Sequence, residues 1–534
     1  MPYIGASAGM VLVMLVWACG SLGRCPPPTE ADSQPSGPTP TAPPPSSEKT
    51  AEDRETVAVE DPPSVTAKPE CVNTEPTPFR SILSADILAF ANAVSSALND
   101  REASPEPNNT YSHETAYGAE QLARPRIYLS PARTYSALAS TDCSGWVDFV
   151  VNTVSPLHHA VLQSQKRRPE YNRSYEDGFT LRESERAWAR AFVLTNFFRS
   201  DFASSTGFER LLNHESVRNG DLVAYSLGRY IDPADTRLTK PRNTGHVFII
   251  AGAPTIVSSD AADYDGQGTL SEQAVEVLAM SIIDSSSVPH FDPDSRKNND
   301  GKYTLPYRVP YRNSKSGGIG IGTAWFALDA NRRIIQRRLG PDDRYNDVII
   351  SAVRPRHVIS LIPEIVDDEG YLVVDVFDNT PTDYNGMILG HLPVTLTGQG
   401  GIRLVRGELV LGGESNFTGG VVIDAGALVV EAETALGSGD VEIKNGTLQM
   451  NYAAIADHAN LRLAKRLQDG AVHLGFEGRD VIHSLQIGDT VHRCGTWGSF
   501  ESDADFTDPR FSGRGVLLLN ADTDPDCTEA EQAR

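Results

Sequence analysis

Positive charge is scarce in this chain. Its 534 residues include 47 Lys and Arg against 70 Asp and Glu, a formal net charge of −23, and the basic residues form no stripe. Nucleic acid and anionic membrane surfaces both require a positive footprint, so neither is an expected partner. Cysteine is scarce too. The six, Cys19, Cys25, Cys71, Cys143, Cys494 and Cys527, include no C-x-x-C pair, which argues against the common zinc sets; no metal or organic cofactor is expected. Aromatic residues are missing from 26–78, which hold 14 Pro instead. Such a segment cannot bury enough apolar area to offset its ordering entropy.

What is present begins with an apolar run, Met10 to Ala18. It suits the core of a signal peptide and is too short for a comfortable transmembrane helix. "VWAC", ending at Cys19 with Gly20 after it, resembles a bacterial lipoprotein cleavage box. Cys19 is therefore the lipidation candidate, and the Pro-rich stretch to residue 78 reads as an extended linker. Export would allow disulfides; Cys25 with Cys71 and Cys494 with Cys527 are candidate pairs, but spacing alone leaves the pairing open.

From Phe79 the pattern is globular. "SADILAFANAVSSALND", the stretch after Cys143 and "LRESERAWARAFVLTNFFRSDF" carry helical apolar spacing. The period then switches: "GDLVAYSLG", "GHVFIIAGA", "AVEVLAMSIID" and "GTAWFALDANRRIIQRRL" read as strands. Helices followed by strands on one core predict an α+β domain over 79–358. After a transition segment, 359–397, comes a small all-β domain over 398–520 with short alternating strands and Gly turns, fitting a β-solenoid or a β-sandwich, and then a polar tail, 521–534.

"TDCSGWVDFVVNTV" sets Cys143 at a helix start, where the macrodipole and unpaired N–H groups favour a thiolate. Small Ser144 and Gly145 would let a carbonyl approach. Of twelve His, His158 and His159 lie too far along the same helical stretch. His246 opens an apolar strand after a Gly turn and suits a base. Asp284 ends the strand "VLAMSIID" and suits the group that orients that base, with His290 a weaker rival. "ADYDGQGTLSE" places Asp263, Asp265, Gly266 and Glu272 at EF-hand-like positions, but Ala261 stands where a principal ligand belongs, leaving an acidic surface turn.

"DCSGWV", "NGDLVAY", "GHVFIIAG" and a strand ending in a polar residue together resemble the NlpC/P-sixty superfamily of papain-like cysteine hydrolases, over about residues 120–335. The resemblance implies Cys143 as nucleophile, His246 as base and Asp284 as orienter. Tyr135 would help fix the oxyanion site, with Asp142 and Ser144 beside the substrate. It also implies a bacterial cell-wall peptide as substrate. The gaps of 246 − 143 = 103 and 284 − 246 = 38 residues exceed those of compact members, and the family's third residue is more often His. "LVLGGESNFTGGVVIDAGALVVEAETALGSGDVEIKNGTLQM" and the stretch to about 520 resemble the autotransporter-associated β-strand repeat family. That implies a short right-handed parallel β-helix stub, with one clear repeat, serving attachment to the cell envelope.

The expectation is thus an exported, possibly lipid-anchored bacterial peptidase or amidase cleaving an amide or isopeptide bond, located in the periplasm, outer membrane or cell surface. The alternative is a non-enzymatic surface adhesion or envelope-structural protein with a degenerate papain-like module.

Overall fold

All twelve residues of the helix Cys143–Val154 are buried, and the rest of the α+β part is arranged around it. The computed structural model describes residues 83–99, 109–111, 126–128, 138–168, 171, 188–227, 245–257, 270–287, 290–296, 317–341, 343–377, 383–384, 387–388 and 393–519. The expectations for Cys19, Cys25, Cys71, Tyr135, Asp263, Asp265, Gly266 and Cys527 lie outside these residues, as do the signal, linker and tail segments. The described fold is mixed α/β, with mostly β-sheet and few helices. No described helix is long and apolar enough to cross a membrane.

In chain order the elements are α1 (Leu83–Asn99), β1 (Asn109–Tyr111), β2 (Arg126–Tyr128), β3 (Leu138–Thr141), α2 (Cys143–Val154), α3 (Pro156–Ser164), α4 (Ala191–Arg199) and α5 (Asp201–Ser205). Strands β4 (Phe208–Leu211), β5 (Leu222–Ser226), β6 (His246–Ile250), β7 (Thr255–Val257), β8 (Glu276–Ser286), β9 (Gly318–Leu328), β10 (Ile334–Arg338), β11 (Asn346–Asp347) and β12 (Ile349–Pro355) follow. In α1, Leu83, Ile87, Phe90, Ala91, Val94 and Leu98 are buried, the stripe of an amphipathic helix. Pro156 cannot continue α2, and it takes the N1 position of α3 instead. The helix expected from "LRESERAWARAFVLTNFFRSDF" begins only at Ala191 among the described residues and breaks at Ser200. "GTAWFALDANRRIIQRRL" is not one strand but two, joined by a turn in which Arg332 takes a φ of 61°.

Nine strands form one antiparallel sheet in the order β11-β10-β9-β8-β6-β5-β12-β4, with β7 on β8. Its side chains alternate as the pleat requires. Leu222, Ala224, Val247 and Ile249 join the helices in the main core. Val223, Tyr225, Phe248 and Ile250 form a second core on the other face. Each fully buried Val, Leu, Ile or Phe contributes roughly 1.5–3 kcal/mol.

Beyond residue 357 most strand pairs are parallel. Tyr371–Asp375, Gly401–Arg406, Val421–Ile423, Val441–Ile443, Asn460–Leu463 and Ser484–Ile487 pair successively in one sheet. Glu408–Leu411, Ala427–Val430, Thr447–Met450, Val472–Leu474 and Phe511–Gly513 pair in another. The chain alternates between the two, so Leu404, Ile423, Ile443 and Leu463 fall in register, all buried. Several parallel rungs are stacked where the sequence showed one clear repeat, and parallel pairing is already present at Val358–Leu361, at the boundary between the α+β reading and the transition segment. Equivalent turns stack tightly: a Cβ on Gly426 would lie 2.2 Å from the Gly407 carbonyl oxygen, and Gly426 has a φ of 92°. Only glycine fits there.

Residues 76–534 form one compact unit, and α2 is tied directly to the first rung. Asn152 Nδ2 donates to the Asp375 carbonyl at 2.6 Å, and Asn152 Oδ1 accepts from the Phe377 N–H at 2.9 Å. His159 contacts the same amide at 2.9 Å and donates to Asp148 at 2.8 Å, and its ring meets Phe377 edge-on. Replacing Asn152 by Ala strips partners from a carbonyl and an N–H in a largely buried seam. Thermal or urea denaturation should show a loss of about 1–3 kcal/mol. An unchanged transition would show that the seam does not hold the two parts together.

Candidate active site

The site is assembled at the start of α2 and the ends of two strands. Asp142 is the N-cap of α2, with extended backbone. Its Oδ1 accepts from the Gly145 N–H at 2.8 Å, the Ser144 hydroxyl at 3.2 Å and Trp188 Nε1 at 3.1 Å. Three donors on one carboxylate oxygen fix the first turn and so fix Cys143, which is 5 % exposed and a free thiol. The side chains of Asp142 and Ser144, expected beside the substrate, are thus buried and engaged in the cap. Packing also requires Gly145 to be small. A Cβ there would stand 2.3 Å from Thr141 Oγ1 and 2.8 Å from the Trp188 ring, so the missing side chain makes room for Trp188.

His246 opens β6, cross-strand from Tyr225 on β5, and Asp284 lies near the end of β8 on the same sheet. His246 Nε2 donates to Asp284 Oδ2 at 2.6 Å, because a carboxylate can only accept. Cys143 lies close enough for its charge to act on the His246 ring, and Nδ1 is the nitrogen left to face it. The three residues expected to act together are therefore brought together across separations of 103 and 38 residues. Burial by itself would lower the His246 pKa. The Cys143 charge and the hydrogen bonds with Asp284 and Cys143 outweigh it and raise the value to about 9.

Asp284 has no exposure to solvent. Burial favours its protonated form, but the His290 and Arg296 charges and the hydrogen bonds from His246 and His290 hold it well below the usual carboxylate range. His290 Nε2 donates to the same Oδ2 at 2.8 Å, and Arg296 Nη1 donates to Oδ1 at 3.0 Å. His290, weighed as a rival to Asp284, is its partner. Arg296 and Asp294 escaped notice in the sequence.

A legible signal existed for them in "GGIGIGT". The start of β9 carries Gly318, Gly320 and Gly322 on alternate positions, and alternate positions face one side. Residues 290–296 run beside this half of β9: Phe291 and Thr323 exchange backbone hydrogen bonds, and the Ser295 N–H reaches the Ile321 carbonyl at 2.8 Å. The side chains of His290 and Arg296 then cross the bare glycines to Asp284, which pairs with Gly320. A Cβ on Gly320 would lie 2.7 Å from Arg296, and one on Gly322 2.6 Å from His290. Glycine within a strand commonly marks such a close approach.

Tyr225 lies on the same face, its ring 5.9 Å from that of His246, with the Arg337 guanidinium over its other surroundings at 5.5 Å. Burial raises its phenol above the ordinary value. His158 and His159 are buried in the helical layer. His158 bonds Ser155 and the Gly207 carbonyl, and burial lowers its pKa to about 4, so it serves structure as a neutral ring. A cavity of about 300 Å³ lies elsewhere, lined by Val223, Met280, Ile335, Ile350 and other residues, and none of Cys143, His246 and Asp284 borders it. Cys494 is disulfide-bonded, and its partner falls outside the described residues. Among the described residues no cluster of His, Cys, Asp and Glu is arranged to hold a metal ion. Compared with family models, curated proteins and solved structures, the chain matches none of them.

The cap offers a direct test of how Cys143 is held. Asp142→Ala removes the acceptor shared by Gly145, Ser144 and Trp188 and should cost about 1–2 kcal/mol. It should also slow carbamidomethylation of Cys143, followed by peptide mass mapping. Asp142→Asn, which keeps an acceptor oxygen, should recover most of both. Equal alkylation rates in all three proteins would mean that the cap does not position the thiol.

Proposed function

We propose that the protein is a cysteine hydrolase that cleaves an amide or isopeptide bond through a thioester, with cell-wall peptide as the substrate class. What carries the reading is one observation: a buried free cysteine at a helix N-terminus interacts with a histidine whose other nitrogen donates to an ionised carboxylate at 2.6 Å. The papain-like architecture of the NlpC/P-sixty resemblance suits the order of these groups along helix and sheet. A parallel β-helix suits the alternating parallel sheets that follow. On this reading the β part serves attachment to the envelope of an exported protein.

The chemistry follows from the arrangement. With His246 as imidazolium near neutral pH, Cys143 is held as thiolate and attacks the substrate carbonyl carbon. The N–H of Cys143 and the positive end of α2 would stabilise the developing oxyanion. His246 Nδ1–H then protonates the leaving amine, the C–N bond breaks and the acyl group stays on sulfur. Neutral His246 next takes a proton from water, which attacks the thioester and frees the thiolate. Asp284 keeps Nε2 protonated throughout and so fixes which nitrogen does the work.

The test is incubation of the full chain with purified peptidoglycan and muropeptides, read by mass spectrometry. The wild type should release defined peptide fragments, and Cys143→Ala should release none, a loss of about a thousandfold or more. Cleavage by folded Cys143→Ala at the wild-type rate would overturn the assignment. Binding to peptidoglycan by both proteins without cleavage would favour the adhesion reading instead.

A further inference from the structure

The carboxylate that faces His246 is itself held by groups that no simple Cys-His-Asp set requires. Asp284 Oδ2 accepts from two imidazoles, His246 at 2.6 Å and His290 at 2.8 Å, and Oδ1 accepts from Arg296 Nη1 at 3.0 Å. Arg296 is fixed in turn: Nε donates to Asp294 Oδ1 at 2.8 Å, and Nη1 also reaches the Gly318 carbonyl at 3.3 Å. Asp294 Oδ2 accepts from the His290 backbone N–H at 3.0 Å. One short segment thereby delivers both a ring and a guanidinium to one carboxylate, and all four side chains are buried. A buried arginine is costly to desolvate and adds little to stability by itself. Its placement over two glycines, against the one carboxylate that touches His246, is an expensive arrangement for packing alone.

Resting on the hydrolase reading, we infer that Arg296, His290 and Asp294 are positioning residues of the site. Arg296 keeps Asp284 ionised and aimed, His290 fixes the second lone-pair direction of Oδ2, and Asp294 locks both donors. None of the three is placed to touch substrate. They act through Asp284 on His246, and so on the charge state of Cys143. The segment 290–296, anchored by Phe291 stacked on Trp325 at 3.9 Å, would then be as necessary to the thiolate–imidazolium pair as the orienting carboxylate.

The charged and titratable groups around the Cys143–His246 pair are Tyr225 from β5 with Arg337 of β10 over its ring, Asp284 from β8, and His290, Asp294 and Arg296 from the neighbouring segment. Of these, only the segment's residues are removed in the test.

The measurement is the pH dependence of Cys143 carbamidomethylation by iodoacetamide in the full chain, quantified on the Cys143 peptide, so that no substrate is needed. The wild type should be alkylated readily at pH 6, where an ordinary thiol, with a pKa of about 8.5, reacts slowly. Arg296→Met should move the acid limb of the profile upward, slowing alkylation at pH 6 by about tenfold or more, since one pH unit in the limb is a factor of about ten. Arg296→Lys should restore part of it, as charge returns without the fork. His290→Gln, which keeps a donor but removes the imidazole, should give a smaller shift and serves if Arg296→Met does not fold. An unshifted acid limb in folded Arg296→Met and His290→Gln, with the wild-type limb low, would overturn this inference and leave the hydrolase reading standing. A wild-type profile like that of a free thiol would instead overturn the hydrolase reading.

Discussion

One carboxylate oxygen, Asp284 Oδ2, accepts hydrogen bonds from two imidazoles at a position fully shielded from solvent. A buried carboxylate without compensation would protonate. Here the compensation comes from His246, His290 and Arg296, and the rest of the site follows. Because Asp284 stays ionised, His246 Nε2 stays protonated. Because Nε2 is committed, Nδ1 is the nitrogen turned to Cys143. The local geometry is over-determined, which is what a group required to hold one tautomer needs.

The fold supplies this arrangement by ordinary means. The antiparallel sheet sets β5, β6, β8 and β9 side by side, so Tyr225, His246, Asp284 and Gly320 meet although they are far apart in the chain. The helix that carries Cys143 is buried on every side because helices and sheet enclose it. Its polar residues have partners, Asp148 in His159 and Asn152 in the first parallel rung, and its N-cap Asp142 closes the first turn. The contact of Asn152 makes the parallel β part a wall of the helical layer rather than an independent appendage. A stack of parallel rungs must also cover its first apolar edge, and the contact of α3 with Tyr371–Asp375 does so here.

Cys143, His246 and Asp284 were legible because each stands where an apolar element begins or ends, and polar residues at such boundaries have few packing uses. The main helices and the strands β5, β6 and β8 were legible from period alone. Asp142 was visible for one role and has another: "TDCSG" is as good an N-cap signal as a substrate signal, and its carboxylate caps α2. The partners of Asp284 were harder to see. Arg296 and Asp294 belong to a polar loop-like stretch, and their meaning lies in the glycines of another strand. The parallel rungs were underestimated for a related reason. Only aliphatic positions and turn glycines such as Gly407 and Gly426 recur from rung to rung. Stacked backbones constrain just those positions, while the outward-facing residues drift.

The central claim is that Asp284 and Cys143 together hold His246 as an imidazolium in a buried site. Histidine-labelled protein followed by NMR across pH tests it most directly, with the His246 signal assigned by comparison with His246→Gln. The account predicts that this ring keeps both protons through neutral pH and loses one only near pH 9. A ring that titrates at or below the ordinary histidine value of about 6.5 would contradict it.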